Sequence, residues 1–338
     1  MNFFKLRRTK MLDEAVLDHK PQSVIMSLLI FYLVFFIGDI IRGIIASIPS
    51  VIWMLSYEGF YEATKEYTES IMAGNTDTSQ FEEFIYGMIE NIPPWLTAVS
   101  LIAFVALPIA AIFYCKRFEK RPITSLGIRK KGMFKEYGIG LIIGFLMLDL
   151  TLFISFLCGG VSLKVNPNGI SPMILLFLLA FIIQGASEEI MFRGYFMMTV
   201  ARDYKISTAI AVSSILFSLL HSGNNGAGTL PLINIVLFGI FMGIYVFKRG
   251  DLWGACAIHT MWNFAQGCIF GSSVSGMKGM PSIFVVDIKE NMSLANGGAF
   301  GLEGSLAATV VLLACIGLVF FLKTRKGEES LSDATDFE

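Results

Sequence analysis

The chain has 338 residues, of which 54% are apolar and 16% charged; the net charge is −1 and the mean hydropathy +0.66. A soluble chain of this composition would expose apolar patches that aggregate, so it reads against a soluble enzyme and a nucleic-acid binder. Its five cysteines show no C-x-x-C spacing and mostly sit in apolar runs, which argues against a disulfide framework or a Cys-rich zinc site.

In chain order, residues 1–23 form a charged, basic arm. The apolar run that follows is too long for the core of a cleavable signal peptide. Stretches suited to membrane crossing, each roughly 20 residues at 1.5 Å rise per residue, fall at 24–55, 95–115, 137–159, 172–200, 207–221, 230–247, 252–270 and 304–322. The expectation is an all-α polytopic membrane protein with about eight transmembrane helices. The loop 56–94 carries eight acidic residues and one lysine, reads as an external cap, and has amphipathic character at 78–90. The loop 271–303 is also external, and the tail 323–338 is Ser-, Asp- and Glu-rich.

Basic residues test this count independently. Of 26 Lys and Arg, 20 fall on alternate segments that include both ends of the chain, and four on the opposite segments. The positive-inside rule therefore puts both termini in the cytoplasm, which needs an even number of spans. Orientation also accounts for the basic loop 116–136 without a lipid-binding role. The glycine-rich 222–228 lacks the strand and lysine of a phosphate loop and reads as a turn.

Charged groups at bilayer depth are costly and mark function by default. They number few here: Asp39, Arg42, Asp149, Glu188, Glu189, Arg193, His221 and His259. Asp39 and Arg42 share a helical face and neutralise each other. Asp149, alone in its span, reads as a helix-packing hydrogen-bonder. Glu189 and Arg193 are spaced i,i+4 and pair. Glu188 is rotated by about 100° from Glu189, which leaves it without that cation and available as a base. His221 lies four residues after Phe217, and His259 four before Asn263, so His259 and Asn263 face the same way. Counted along the helices, Glu188, His221, His259 and Asn263 reach overlapping depths, a constellation that needs a water-filled cavity.

A carboxylate and an imidazole can activate a water, while a second imidazole and an amide can donate to an oxyanion. These are the parts of amide hydrolysis without a covalent intermediate. There is no H-E-x-x-H, G-x-S-x-G or G-x-G-D motif. Zinc on Glu188, His221 and His259 stays open on ligand chemistry alone.

E-E-x-x-x-R at Glu188, Glu189 and Arg193, F-x-x-x-H at Phe217 and His221, and H-x-x-x-N at His259 and Asn263 resemble the three motifs of the CPBP intramembrane proteases. That family takes in the CAAX prenyl endopeptidases and Abi-like bacterial proteins tied to bacteriocin immunity and peptide maturation. The resemblance covers about 171–270, within N-terminal spans at 24–170 and a last span at 304–322. It implies a metal-independent glutamate protease with no cofactor. Glu188 would be the base, His221 its partner, and His259 and Asn263 the oxyanion hole, with Glu189, Arg193 and Phe217 supporting. Its partners would be the lipid bilayer and membrane-associated peptide or protein substrates, prenylated or bacteriocin- or signal-peptide-like. The alternatives are a non-catalytic scaffold or immunity factor and a zinc-dependent membrane hydrolase.

Overall fold

The computed structural model describes residues 6–17 and 20–322; the tail and the first five residues of the basic arm lie outside them. The arm is more than a solvated leader. Helix α1 (Lys10–Val16), capped by Thr9, buries Met11, Leu12 and Ala15. Helix α2 (Val24–Leu55) follows, capped by Ser23, whose hydroxyl accepts from Met26 N–H. It keeps most of its isoleucine and leucine side chains exposed and packs through Phe31, Val34 and Gly38.

The acidic cap consists of two helices, α3 (Phe60–Met72) and α4 (Ser79–Glu90), the second matching the amphipathic segment expected at 78–90. Helices α5 (Pro94–Ile102) and α6 (Ala106–Arg117) join through a short 3₁₀ turn into one span, and α7 (Met133–Leu157) is the next. Helix α8 (Met173–Glu189) runs through a wide π-type turn, Ile190–Phe196, into α9 (Met197–Ala201). Then come α10 (Ile206–Leu219), α11 (Thr229–Arg249) and α12 (Trp253–Phe264), which ends in a second π-type turn, Ala265–Ile269. Short α13 (Ser293–Asn296) precedes α14 (Leu306–Val319).

The fold is that of a mostly helical membrane protein. Among the described residues, five helices are long and apolar enough to cross a bilayer: Val24–Leu55, Pro94–Arg117, Met133–Leu157, Met173–Ala201 and Thr229–Arg249. The other three expected segments are helical but shorter; α10 and α14, with 14 residues each, extend roughly 21 Å at 1.5 Å per residue.

Two loops form a small sheet: β1 (Val161–Val165) pairs antiparallel with β2 (Phe284–Ile288), Val161 opposite Ile288 and Val165 opposite Phe284. One expectation is corrected. Asp149 makes no side-chain hydrogen bond among the described residues and is exposed. Helix α7 buries Gly140, Gly144, Met147, Leu148 and Thr151, and Asp149 is turned off that face.

Small residues set the position of α12. Gly140 and Gly144 let α7 approach so closely that a Cβ on Gly144 would lie 2.5 Å from the Ile258 carbonyl oxygen, and one on Gly140 would collide with that of Gly254. Such small-residue contacts are how helices without a hydrophobic driving force pack in lipid. On the opposite side, Gly185 of α8 approaches Thr260, where an added Cβ would meet the backbone N at 3.0 Å. Helix α12 is thereby clamped between α7 and α8, which brings His259 and Asn263 to the end of α8.

Candidate active site

Glu188 and Glu189 end the regular part of α8, directly before its π-type turn, and Asn263 stands just before the turn that ends α12. Such turns widen the helix and recur at functional sites. All the sequence-expected residues come together here.

The two neighbouring glutamates have different surroundings. Glu189 is fully buried; its Oε1 accepts from Arg193 Nη1 at 3.1 Å and from His259 Nδ1 at 2.8 Å. Since a carboxylate only accepts, the His259 contact puts a proton on Nδ1. The Arg193 guanidinium lies 4.4 Å from the Phe217 ring centroid, a cation–π contact. Gly239 on α11 leaves it room, because a Cβ there would sit 3.0 Å from Arg193 Nη2. A buried charge is tolerable when paired in this way.

Glu188 has no such cation. Its Oε1 accepts from Gln184 Nε2 at 2.7 Å, and its buried Oε2 has no hydrogen-bond partner, with His259 Nε2 3.6 Å away. Gln184 Oε1 in turn accepts from Asn263 Nδ2 at 3.1 Å, so one amide orients both the carboxylate and the asparagine. Gln184 was missed in the sequence because it carries no charge; its position four residues before Glu188 in an apolar helix was the available signal.

His221 donates from Nδ1 to the Phe217 carbonyl oxygen at 2.8 Å, because a carbonyl can only accept. Its Nε2 is therefore the nitrogen left for other chemistry. Phe217 touches both imidazoles, with ring centroids 4.6 Å from His221 and 6.2 Å from His259.

Glu188, Gln184, His221 and Asn263 line one cavity of about 630 Å³. Its other walls come from α2, α5, the 222–228 turn, which supplies Asn224 and Asn225, and the 271–277 segment. A second cavity of about 20 Å³, enough for one water, is lined by His221, His259, Asn263, Ser275 and Glu303 among others. Sequence reasoning gave Ser275 and Glu303 no role. Glu303 accepts from the Ser275 N–H and hydroxyl, from Gln266 and from Trp262 Nε1, tying the 271–303 loop to α12.

Among the described residues, no group of three or more His, Cys, Asp or Glu side chains is placed to hold a metal ion. His221 and His259 each commit Nδ1 to a protein acceptor, and Arg193 shares the carboxylate on which His259 rests.

An integral membrane protein with carboxylates, imidazoles and amides gathered around a cavity between its helices has the makings of a membrane hydrolase. Residues 170–265, which contain all seven motif residues, match the family described as Rce1-like, Type II CAAX prenyl endopeptidase Rce1-like. This segment is therefore similar to the CAAX membrane proteases. No curated protein and no solved structure matches it.

Proposed function

We propose that the chain is an intramembrane endopeptidase of the glutamate type, acting on membrane-associated peptides or proteins by direct water attack. The observation that carries this reading is the contrast between the two glutamates. Through Oε1, Glu189 is bonded to a guanidinium and an imidazole, whereas Glu188 is bonded only to the Gln184 amide and lines the large cavity.

In the proposed reaction, a water between Glu188 and His221 Nε2 loses a proton to Glu188 as its oxygen bonds to the peptide carbonyl carbon. The carbonyl electron pair moves to oxygen. That oxyanion receives hydrogen bonds from a protonated His259, through Nε2, and from Asn263, which has a second amide N–H besides the one on Gln184. Collapse breaks the C–N bond and Glu188 returns the proton to the leaving amine, giving one new acid and one new amine. Glu189 and Arg193 hold His259, and Phe217 packs between the two imidazoles and the guanidinium.

The catalytic unit in this proposal is 171–270. The chain crosses the bilayer eight times with both termini cytoplasmic, a reading supported by the distribution of Lys and Arg. Substrates are membrane-associated chains of the prenylated or bacteriocin- or signal-peptide-like kind.

The test is a comparison of membrane peptides in cells carrying the wild type or Glu188→Gln, which keeps size and hydrogen bonding but removes the base. Products present with the wild type and missing with the variant are expected; processing by both at the same rate would end the protease reading. Normal biological function with no processing by either would support the scaffold, and activity lost to a chelator and restored by zinc would support the metal enzyme.

A further inference from the structure

The large cavity is also lined by a charged pair outside the motif residues. Phe35, Asp39 and Arg42, spaced by four and three residues along α2, all line it, together with Thr97 and Ser100 of α5. Arg42 Nε donates to Asp39 Oδ1 at 2.6 Å, and the guanidinium carbon lies 4.8 Å from the Phe104 ring centroid. The side chains keep 28% and 39% exposure, Arg42 and Asp39 respectively, while the flanking Ile40, Ile41, Ile44 and Ile45 are also exposed. Those isoleucines suit lipid; a charged pair does not, and it faces the cavity instead.

Asp39 engages one edge of the guanidinium and Phe104 steadies its plane. The two terminal nitrogens have no hydrogen bond to any described residue. A planar pair of N–H donors matches a carboxylate in a two-pronged arrangement, and the hydroxyls of Thr97 and Ser100 add donors on the same wall. Glu188, His221 and Asn263 line the same cavity as Arg42, so a peptide lying at those residues can bring a carboxylate to the guanidinium.

We infer that Arg42, held by Asp39, is a substrate-binding residue that receives a carboxylate of the peptide, either its C-terminus or an acidic side chain, in the cavity where Glu188 would act. The inference rests on the peptidase reading for the nature of the occupant.

Binding is measured in detergent-purified full-length Glu188→Gln, which removes turnover. The probes are fluorescein-labelled apolar hexapeptides: one with a free C-terminal carboxylate, its C-terminal amide, and amidated versions with an internal Glu or Gln. At least one carboxylate peptide is expected to bind about tenfold more tightly than its amide counterpart, as a charge-assisted hydrogen bond implies. The terminal pair and the internal pair identify the source. Adding Arg42→Gln should bring that ratio near unity, and Arg42→Lys, which keeps charge but loses the fork, should leave it intermediate. Should Arg42→Gln fail to fold, the ratio in the parent and in Arg42→Lys still decides. Indifference of the parent to every carboxylate, including no measurable binding, would overturn the subsite, as would an unchanged ratio in a folded Arg42→Gln. A wild type that discriminates through Arg42 yet cuts nothing loses the peptidase reading and keeps the subsite.

Discussion

Glu188 and Glu189 are chain neighbours at the end of one helix, yet they belong to different regions. The Glu189 side is closed: guanidinium and imidazole are both bonded to the carboxylate among Phe217, Phe238 and Gly239. The Glu188 side opens on the large cavity and is held only through amides. A single step of rotation along α8 separates a carboxylate bonded to a guanidinium and an imidazole from one that lines the cavity. The difference arises from what α10, α11 and α12 present to each face.

Substitutions can break this contrast, and the largest effect belongs to the open side. Glu188→Gln should lower the rate of peptide cleavage by about 10²–10⁴-fold, the range for loss of a positioned base, while its thermal unfolding in detergent stays close to wild type. Asn263→Ala should cost about 10²–10³-fold in kcat, as removal of an oxyanion donor does, with a smaller change in KM.

On the closed side the loss should appear as stability. Arg193→Met leaves Glu189 buried without its cation and should destabilise by about 3–5 kcal/mol, read as a lower midpoint of unfolding or poor recovery of folded protein. The smallest effect is expected from Gln184→Met. Replacing an oriented amide by an apolar side chain of similar size should cost about 1–3 kcal/mol through the unsatisfied groups it leaves, split between cleavage rate and stability. A Gln184→Met enzyme with wild-type kinetics would remove that amide from the account of the open side.

Much of this was legible in the sequence because lipid is an unforgiving solvent. A chain with 16% charged residues leaves few ionisable groups inside its spans, so Glu188, Glu189, Arg193, His221 and His259 could be picked out by cost alone. The Glu189–Arg193 and Asp39–Arg42 contacts follow from helical spacing, and both are present, at 3.1 Å and 2.6 Å. What escaped was of two kinds. Gln184 carries no charge and so no warning. Ser275 and Glu303 reach the site from a loop without periodicity, and β1 pairs with a strand more than a hundred residues away, so neither has a local signature. Asp149 misled for the opposite reason: cost in lipid argued for a packing partner, but burial on α7 follows Gly140 and Gly144 against α12, and Asp149 is off that face.

Under the proposed function two adjacent carboxylates divide the work, one for chemistry and one for structure. The most direct measurement sets Glu188→Gln beside Glu189→Gln in the same purified preparation, recording cleavage of one membrane peptide and the thermal midpoint for each. The expected result is a folded, inactive Glu188→Gln with a near wild-type midpoint and a Glu189→Gln whose main defect is a lowered midpoint. A Glu188→Gln protein that cleaves at the wild-type rate would contradict the account outright.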